Sequence, residues 1–131
     1  MIGLDTNVLV RFLVEDEPAQ ARLALQLIER EIAACKRLFV SQIVLCELVW
    51  VLASAYEFRR TEIVGVLADL LRSRDLEIED RDAAVRALDA YAKTKGDLSD
   101  FLILERAKAA GCRTVATFDK ALLERPGFVR P

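Results

Sequence analysis

Histidine is absent from this chain. That absence excludes every mechanism built on imidazole, including the Ser-His-Asp triad, the Cys-His pair and His-ligated zinc. Cysteine is scarce: Cys35, Cys46 and Cys112 are odd in number, far apart and without a CxxC spacing. Zinc binding and thioredoxin-type exchange are therefore not expected, and the apolar surroundings of all three predict small buried side chains. No positive excess is present either. Lys and Arg number 19 against 21 Asp and Glu, a net charge of −2, so a nucleic-acid partner has to meet a local basic patch. The apolar run over residues 43–55 is interrupted by Glu47 and is too short to span a bilayer. The first five residues read as structure, with no basic and apolar leader before them. The expectation is a soluble, cytoplasmic chain with no membrane partner.

What is present is a folding composition. Hydrophobic residues make up 53% and charged residues 31%, which argues against disorder. The length of 131 residues suits a single domain over 1–131, able to bury a core without disulfides. Residues 2–4 are a short apolar run, consistent with a buried strand, and 6–14 read as a helix. Pro18 suits the first turn of a helix over 19–35. Residues 38–40 are β-prone and end at Ser41, a plausible N-cap for a helix over 42–58. Thr61 is placed to cap a helix through 74, and 76–79 alternate as a half-exposed strand. Helices follow over 80–94 and 98–110, with a turn at 95–97 and Gly111 as a stop. A strand over 114–118 ends at Asp119, and 128–129 add a last short strand. Strands alternating with helices predict an α/β fold with a parallel sheet covered on both faces, whose ligands bind outside the carboxyl ends of the strands.

The polar residues at those ends are acids. Asp5 and Asp119 each follow a strand, and in a parallel sheet they emerge at the same edge. Either one also fits a capping or turn role. Glu47 lies in IVLCELVWVL, apolar nearly all round. This predicts a largely buried helix in which a carboxylate needs an ion pair, such as one with Arg11, or a metal. Asp97 and Asp100 are spaced i, i+3 at a helix start, which fits a capping box as well as a site. Converging carboxylates repel unless a cation intervenes. With oxygen donors alone, the cation is a hard one, Mg²⁺ or Mn²⁺. Such a site suits phosphoryl transfer, and without a Gly-rich phosphate loop a phosphodiester fits better than a nucleoside triphosphate.

Taken together, these motifs are familiar. Asp5-Thr6-Asn7 follows the first strand, Glu47 sits in an apolar helix after Ser41, Asp97-Leu98-Ser99-Asp100 opens a helix, and Thr117-Phe118-Asp119 follows a late strand. The set resembles the PIN-domain family from Ile2 to the C-terminus and, in detail, its VapC-type toxins of type II toxin–antitoxin pairs. The resemblance implies a three-layer α/β/α fold with a mostly parallel central sheet. It also implies a metal-dependent endoribonuclease that cuts RNA through metal-activated water. It assigns Mg²⁺ or Mn²⁺ to Asp5, Glu47, Asp100 and Asp119. Thr6 and Asn7 would orient Asp5 or the metal's waters, Thr117 would do the same for Asp119, and Asp97 would be an auxiliary acid. Among the basic residues, Lys93 and Lys95 are placed to hold a phosphate, with Arg11 a further candidate. A cognate antitoxin is implied. Two features predict a homodimer that binds it: the surplus apolar residues of 42–58, Trp50 and Phe58 included, and an acidic cleft that would attract an antitoxin arginine near Asp5 and Asp100.

Two other classes fit parts of the pattern. An Asp-centred phosphatase or receiver-like domain also places an aspartate at a strand end with Mg²⁺. The phosphatase pattern, however, has a second Asp where this chain has Asn7, and the receiver pattern has an acidic pair near the first strand that is missing here. Neither uses an acid such as Glu47. A non-catalytic binding module would not need the full acid set.

Overall fold

Short β-prone segments alternating with amphipathic stretches fold as parallel strands joined by helical crossovers. The computed structural model describes residues 1–131 and divides into two compact units, Met1–Arg81 and Asp82–Pro131. The first unit contains β1 (Ile2–Gly3), α1 (Thr6–Val14), α2 (Pro18–Ala33), β2 (Leu38–Val40), α3 (Gln42–Ser54), α4 (Arg60–Arg72) and β3 (Leu76–Ile78). From the junction onward come α5 (Arg81–Lys93), α6 (Leu98–Ala109), β4 (Val115–Ala116), α7 (Lys120–Leu123) and β5 (Phe128–Val129). Every strand pair is parallel, as expected. Hydrogen bonding groups the strands into a three-stranded sheet, β1-β2-β3, and a two-stranded sheet, β4-β5.

In the first unit Leu38 sits between Ile2 and Leu76, and Val40 pairs with Ile78. The ladder runs on just past the strand ends, with Leu4 donating its N–H to Phe39 O at 2.8 Å and Glu79 its own to Val40 O at 3.0 Å. Because the strands are parallel, their carboxyl ends share one edge, and Asp5, Ser41 and Glu79 are the residues that leave it. The core beneath is aliphatic: Leu9, Val10, Leu38, Val40, Leu45, Leu48, Leu52, Ile63 and Leu67 are all fully buried. α1 packs on both α2 and α3, and α3 packs on α4.

In the second unit Phe101 and Phe128 meet edge to face, ring centres 6.5 Å apart. Parallel strands need a crossover, and the residues between β4 and β5 supply it with α7, a single turn too short to show a period in sequence. Val115 N–H donates to Gly127 O at 2.8 Å, and Thr117 N–H to Val129 O at 2.9 Å. Gly127 has φ +94°, and a Cβ placed there would lie 2.9 Å from Leu104 Cδ1. Gly127→Ala is expected to cost about 1–3 kcal/mol from backbone strain and crowding. This would appear as a lower Tm by circular dichroism; an unchanged Tm would show that the turn relaxes.

Several boundaries differ from expectation. α3 stops at Ser54, four residues early, and Glu57 beyond it has φ +55°. Thr61 does not cap α4. The N-cap is Arg59, whose N–H donates to Glu62 Oε1 at 2.9 Å, so the helix begins at Arg60. This bond holds the Glu62 carboxyl below its ordinary range. Cys35 and Cys112 are exposed and Cys46 is half-buried. The correction has a local cause: Cys35 and Cys112 fall in the turns that follow α2 and α6, outside any packed face. No helix is long and apolar enough to cross a membrane.

Candidate active site

Asp5 occupies the N-cap position of α1 with extended backbone, yet its side chain makes no capping bond. A capping role therefore does not account for its carboxylate, which is exposed at the strand edge. The next residue, Thr6, is only 5% exposed. Its hydroxyl donates to Glu47 Oε1 at 3.1 Å, joining the start of α1 to the middle of α3. Thr6 thus orients Glu47, not Asp5.

Glu47 itself departs from expectation. α3 is not buried all round: Ile43 and Trp50 are 72% and 71% exposed, and Glu47 lies between them on the same helix face. The buried face consists of Val44, Leu45, Leu48, Val49 and Leu52. A sequence apolar on every side conceals which face is outward, so the exposed carboxylate could not be read in advance. Nor does Glu47 pair with Arg11. That guanidinium contacts Gln20 Oε1 at 2.5 Å, the Tyr56 hydroxyl at 3.3 Å and Asp16 at 3.8 Å. At the neighbouring Cys46, burial first and the Glu47 charge second push the thiol up. The thiol stays protonated and is not a nucleophile at neutral pH.

In the second unit, Asp97 is the N-cap of α6 and donates its N–H to Asp100 Oδ2 at 2.9 Å. The predicted capping box is real in this half, and it occupies one of the two oxygens of Asp100. Gly96, with φ +115°, delivers the chain into this cap, and a Cβ there would press on Leu122 and Phe101 at 3.1 and 3.2 Å. Asp119 caps α7: Oδ1 accepts from Ala121 N–H at 2.9 Å. Thr117 Oγ1 accepts the N–H of Asp119 at 3.0 Å, so Thr117 does orient the backbone that carries Asp119. Lys93 pairs with Asp89 at 3.0 Å, whereas the exposed Lys95 makes no ion pair. Asn7 is exposed at the start of α1.

Two residues at the first sheet's carboxyl edge were missed in the sequence. Gln42 is buried; its backbone N–H donates to Glu79 Oε1 at 2.9 Å and its amide to Glu79 O at 3.1 Å. Glu79 therefore sits at the N-terminus of α3, where a carboxylate is favoured. An acid directly after a parallel strand was the available signal for it.

The four acids fall two in each unit, Asp5 and Glu47 in the first, Asp100 and Asp119 in the second. No group of three or more Cys, Asp or Glu side chains is gathered as a metal-holding cluster. The donor chemistry nevertheless suits a hard cation. Glu47, Asp100 and Asp119 each spend one oxygen on a neutral donor and keep the other, and Asp5 keeps both. Carboxylates held in this way can each offer one oxygen to a divalent ion.

Comparison with known proteins places the chain in a family. The PIN domain family model matches residues 2–128. A protein from Aquifex aeolicus (strain VF5), named VapC ribonuclease, is 30% identical over 117 residues, covering 89% of this chain and 86% of that relative. With acids at the ends of parallel strands, the α/β class and a family match over nearly its whole length, the chain belongs to the PIN-domain family, whose fold is the three-layer α/β/α.

Proposed function

We propose that this chain is a metal-dependent endoribonuclease, a single PIN-like domain over 1–131 that hydrolyses RNA phosphodiesters. The observation that carries the reading is that Asp5, Glu47, Asp100 and Asp119 each retain a carboxylate oxygen with no protein partner. Those oxygens would hold one or two Mg²⁺ or Mn²⁺ ions. Bound there, a divalent cation supplies activation of water and neutralisation of charge on the phosphate. The chain's own contribution is to fix the carboxylates: Thr6 steadies Glu47, the Asp97 amide steadies Asp100, and Thr117 shapes the turn that presents Asp119. Lys95 is available for a substrate phosphate; Arg11 and Lys93 would first have to leave their present partners. Incubating the protein with total RNA, with and without Mn²⁺ or Mg²⁺, and mapping the new ends tests the reading. Absence of metal-dependent ends overturns it and favours a non-catalytic module.

Thr6→Val should separate positioning from folding. Removing the hydroxyl leaves Glu47 unanchored, and loss of a partner to a metal-binding carboxylate costs about 10–100-fold in activity or metal affinity. The acceptor is an exposed carboxylate that can turn to water, so the loss should stay near the low end of the about 1.5–3 kcal/mol of a hydrogen bond to a charged group, a Tm lowered by several degrees with the fold retained. Thr6→Ser should retain activity. Equal activity in Thr6→Val and wild type would show that Glu47 needs no anchor.

The likeness to a VapC ribonuclease supports a further reading, that of a cytoplasmic toxin kept in check by a cognate antitoxin and present as a homodimer. The exposed Ile43 and Trp50 on α3 support a protein-binding face there; Phe58, which sequence grouped with them, is half-buried and does not contribute to it. An antitoxin arginine would pair with Asp5 or Asp100. Co-expression with the product of the adjacent reading frame should yield a co-purifying complex with suppressed toxicity. Two proteins that do not co-purify, with toxicity unchanged, would overturn the antitoxin pairing while leaving the nuclease standing.

A further inference from the structure

Phe118 is 87% exposed, more than any other large hydrophobic side chain in the molecule. Of the nine aromatic residues, only Phe118 and Trp50 stand out in solvent. Yet the backbone around Phe118 is firmly held. Before it, Thr117 N–H donates to Val129 O at 2.9 Å. After it, Asp119 N–H donates to Thr117 Oγ1 at 3.0 Å, and Asp119 Oδ1 accepts from Ala121 N–H at 2.9 Å. A ring displayed on an anchored turn keeps its apolar face in water and loses little entropy when something covers it.

The immediate surroundings decide what covers it. Its neighbours along the turn are Thr117, Asp119 and the exposed Lys120, which makes no ion pair, and the one other large apolar side chain exposed on β4 and β5 is Val129 at 41%. A protein interface core is depleted in such charges. An exposed aromatic ring with a cation two residues along the chain is instead a combination that single-stranded nucleic acid uses, the base stacking on the ring and the phosphate meeting the charge. We propose that Phe118 is a base-stacking residue, a binding site for an unpaired nucleobase adjoining the phosphate presented to Asp119, with Lys120 on the backbone of the same strand. The assignment rests on the ribonuclease reading and adds to it a single-stranded substrate whose base is recognised by its π-face.

The test uses the full chain carrying Asp5→Asn, so that RNA survives the measurement, and a fluorescein-labelled single-stranded oligoribonucleotide in Mg²⁺. Phe118→Ala in that background should weaken binding about 5- to 100-fold, the range of losing one stacked base, with unchanged Tm. Phe118→Trp and Phe118→Tyr should restore affinity, and Phe118→Leu, equally apolar but without a π-face, should not. Restoration by Phe118→Leu, or a change of oligomeric state in Phe118→Ala, would overturn the proposal in favour of a protein contact. Unaltered RNA affinity in Phe118→Ala, with an RNA that the wild-type chain cleaves, would overturn the stacking role alone. A wild-type chain that neither binds nor cleaves RNA would overturn the nuclease reading and the stacking role together.

Discussion

Asp5→Asn is expected to reduce RNA cleavage by at least about 100-fold without lowering the melting temperature. Even an outer partner of a metal ligand is worth about 10–100-fold, and Asp5 is proposed as a ligand itself. The structure makes the stability half of this expectation sharp. Asp5 makes no side-chain cap on α1, so nothing structural is lost when one oxygen becomes an amide, and any repulsion among the unneutralised acids is eased. Asp100→Asn should be as inactive. It keeps an oxygen able to receive the Asp97 N–H, so its Tm should stay within a few degrees of wild type. Asp97→Asn should be milder, since Asn is also a good N-cap. A marked fall in Tm for both Asp5→Asn and Asp100→Asn would assign these residues to structure. Loss of activity in Asp97→Asn equal to that in Asp100→Asn would make Asp97 a member of the site.

Chelation is the second large effect. EDTA should abolish cleavage, and Mn²⁺ or Mg²⁺ should restore it, because without a cation the four carboxylates repel an anionic phosphodiester and nothing offsets the charge that develops on the phosphate. A readout independent of turnover follows from linkage. An ion that binds only the folded chain raises the Tm with its concentration, and that rise should shrink in Asp5→Asn. Cleavage undiminished in excess chelator would exclude the metal mechanism.

Much of this was legible in the sequence because it depends on local rules. α1 begins at Thr6 and α2 at Pro18, and Ser41 caps α3 through its Oγ to Val44 N–H at 3.2 Å. Gly111 adopts φ +97° at the end of α6. The family was legible because its acids sit at fixed places on these elements. What stayed hidden depends on which face of an element meets another. Nothing in a run apolar on all sides tells that Ile43, Glu47 and Trp50 face outward, or that Thr6 reaches across to Glu47. Cys35 and Cys112 look like core residues by their neighbours but lie in turns. Glu79 was read as half of a strand's alternation and proved to hold the start of α3. The short α7 was missed because four residues carry no periodicity.

The outward face of α3 has a consequence for control. Ile43 and Trp50 flank Glu47 within about one helical turn on either side, so a protein seated on the two apolar side chains also sits over the carboxylate. Such a partner can silence the site without inserting any group into it. Occupancy by the partner and occupancy by the metal then exclude one another, and the exclusion is reciprocal: the factor by which the partner weakens Mn²⁺ binding is the factor by which Mn²⁺ weakens the partner's hold. Under the proposed reading, the chain's release would then respond to the free concentration of the divalent ion as well as to the supply of the partner.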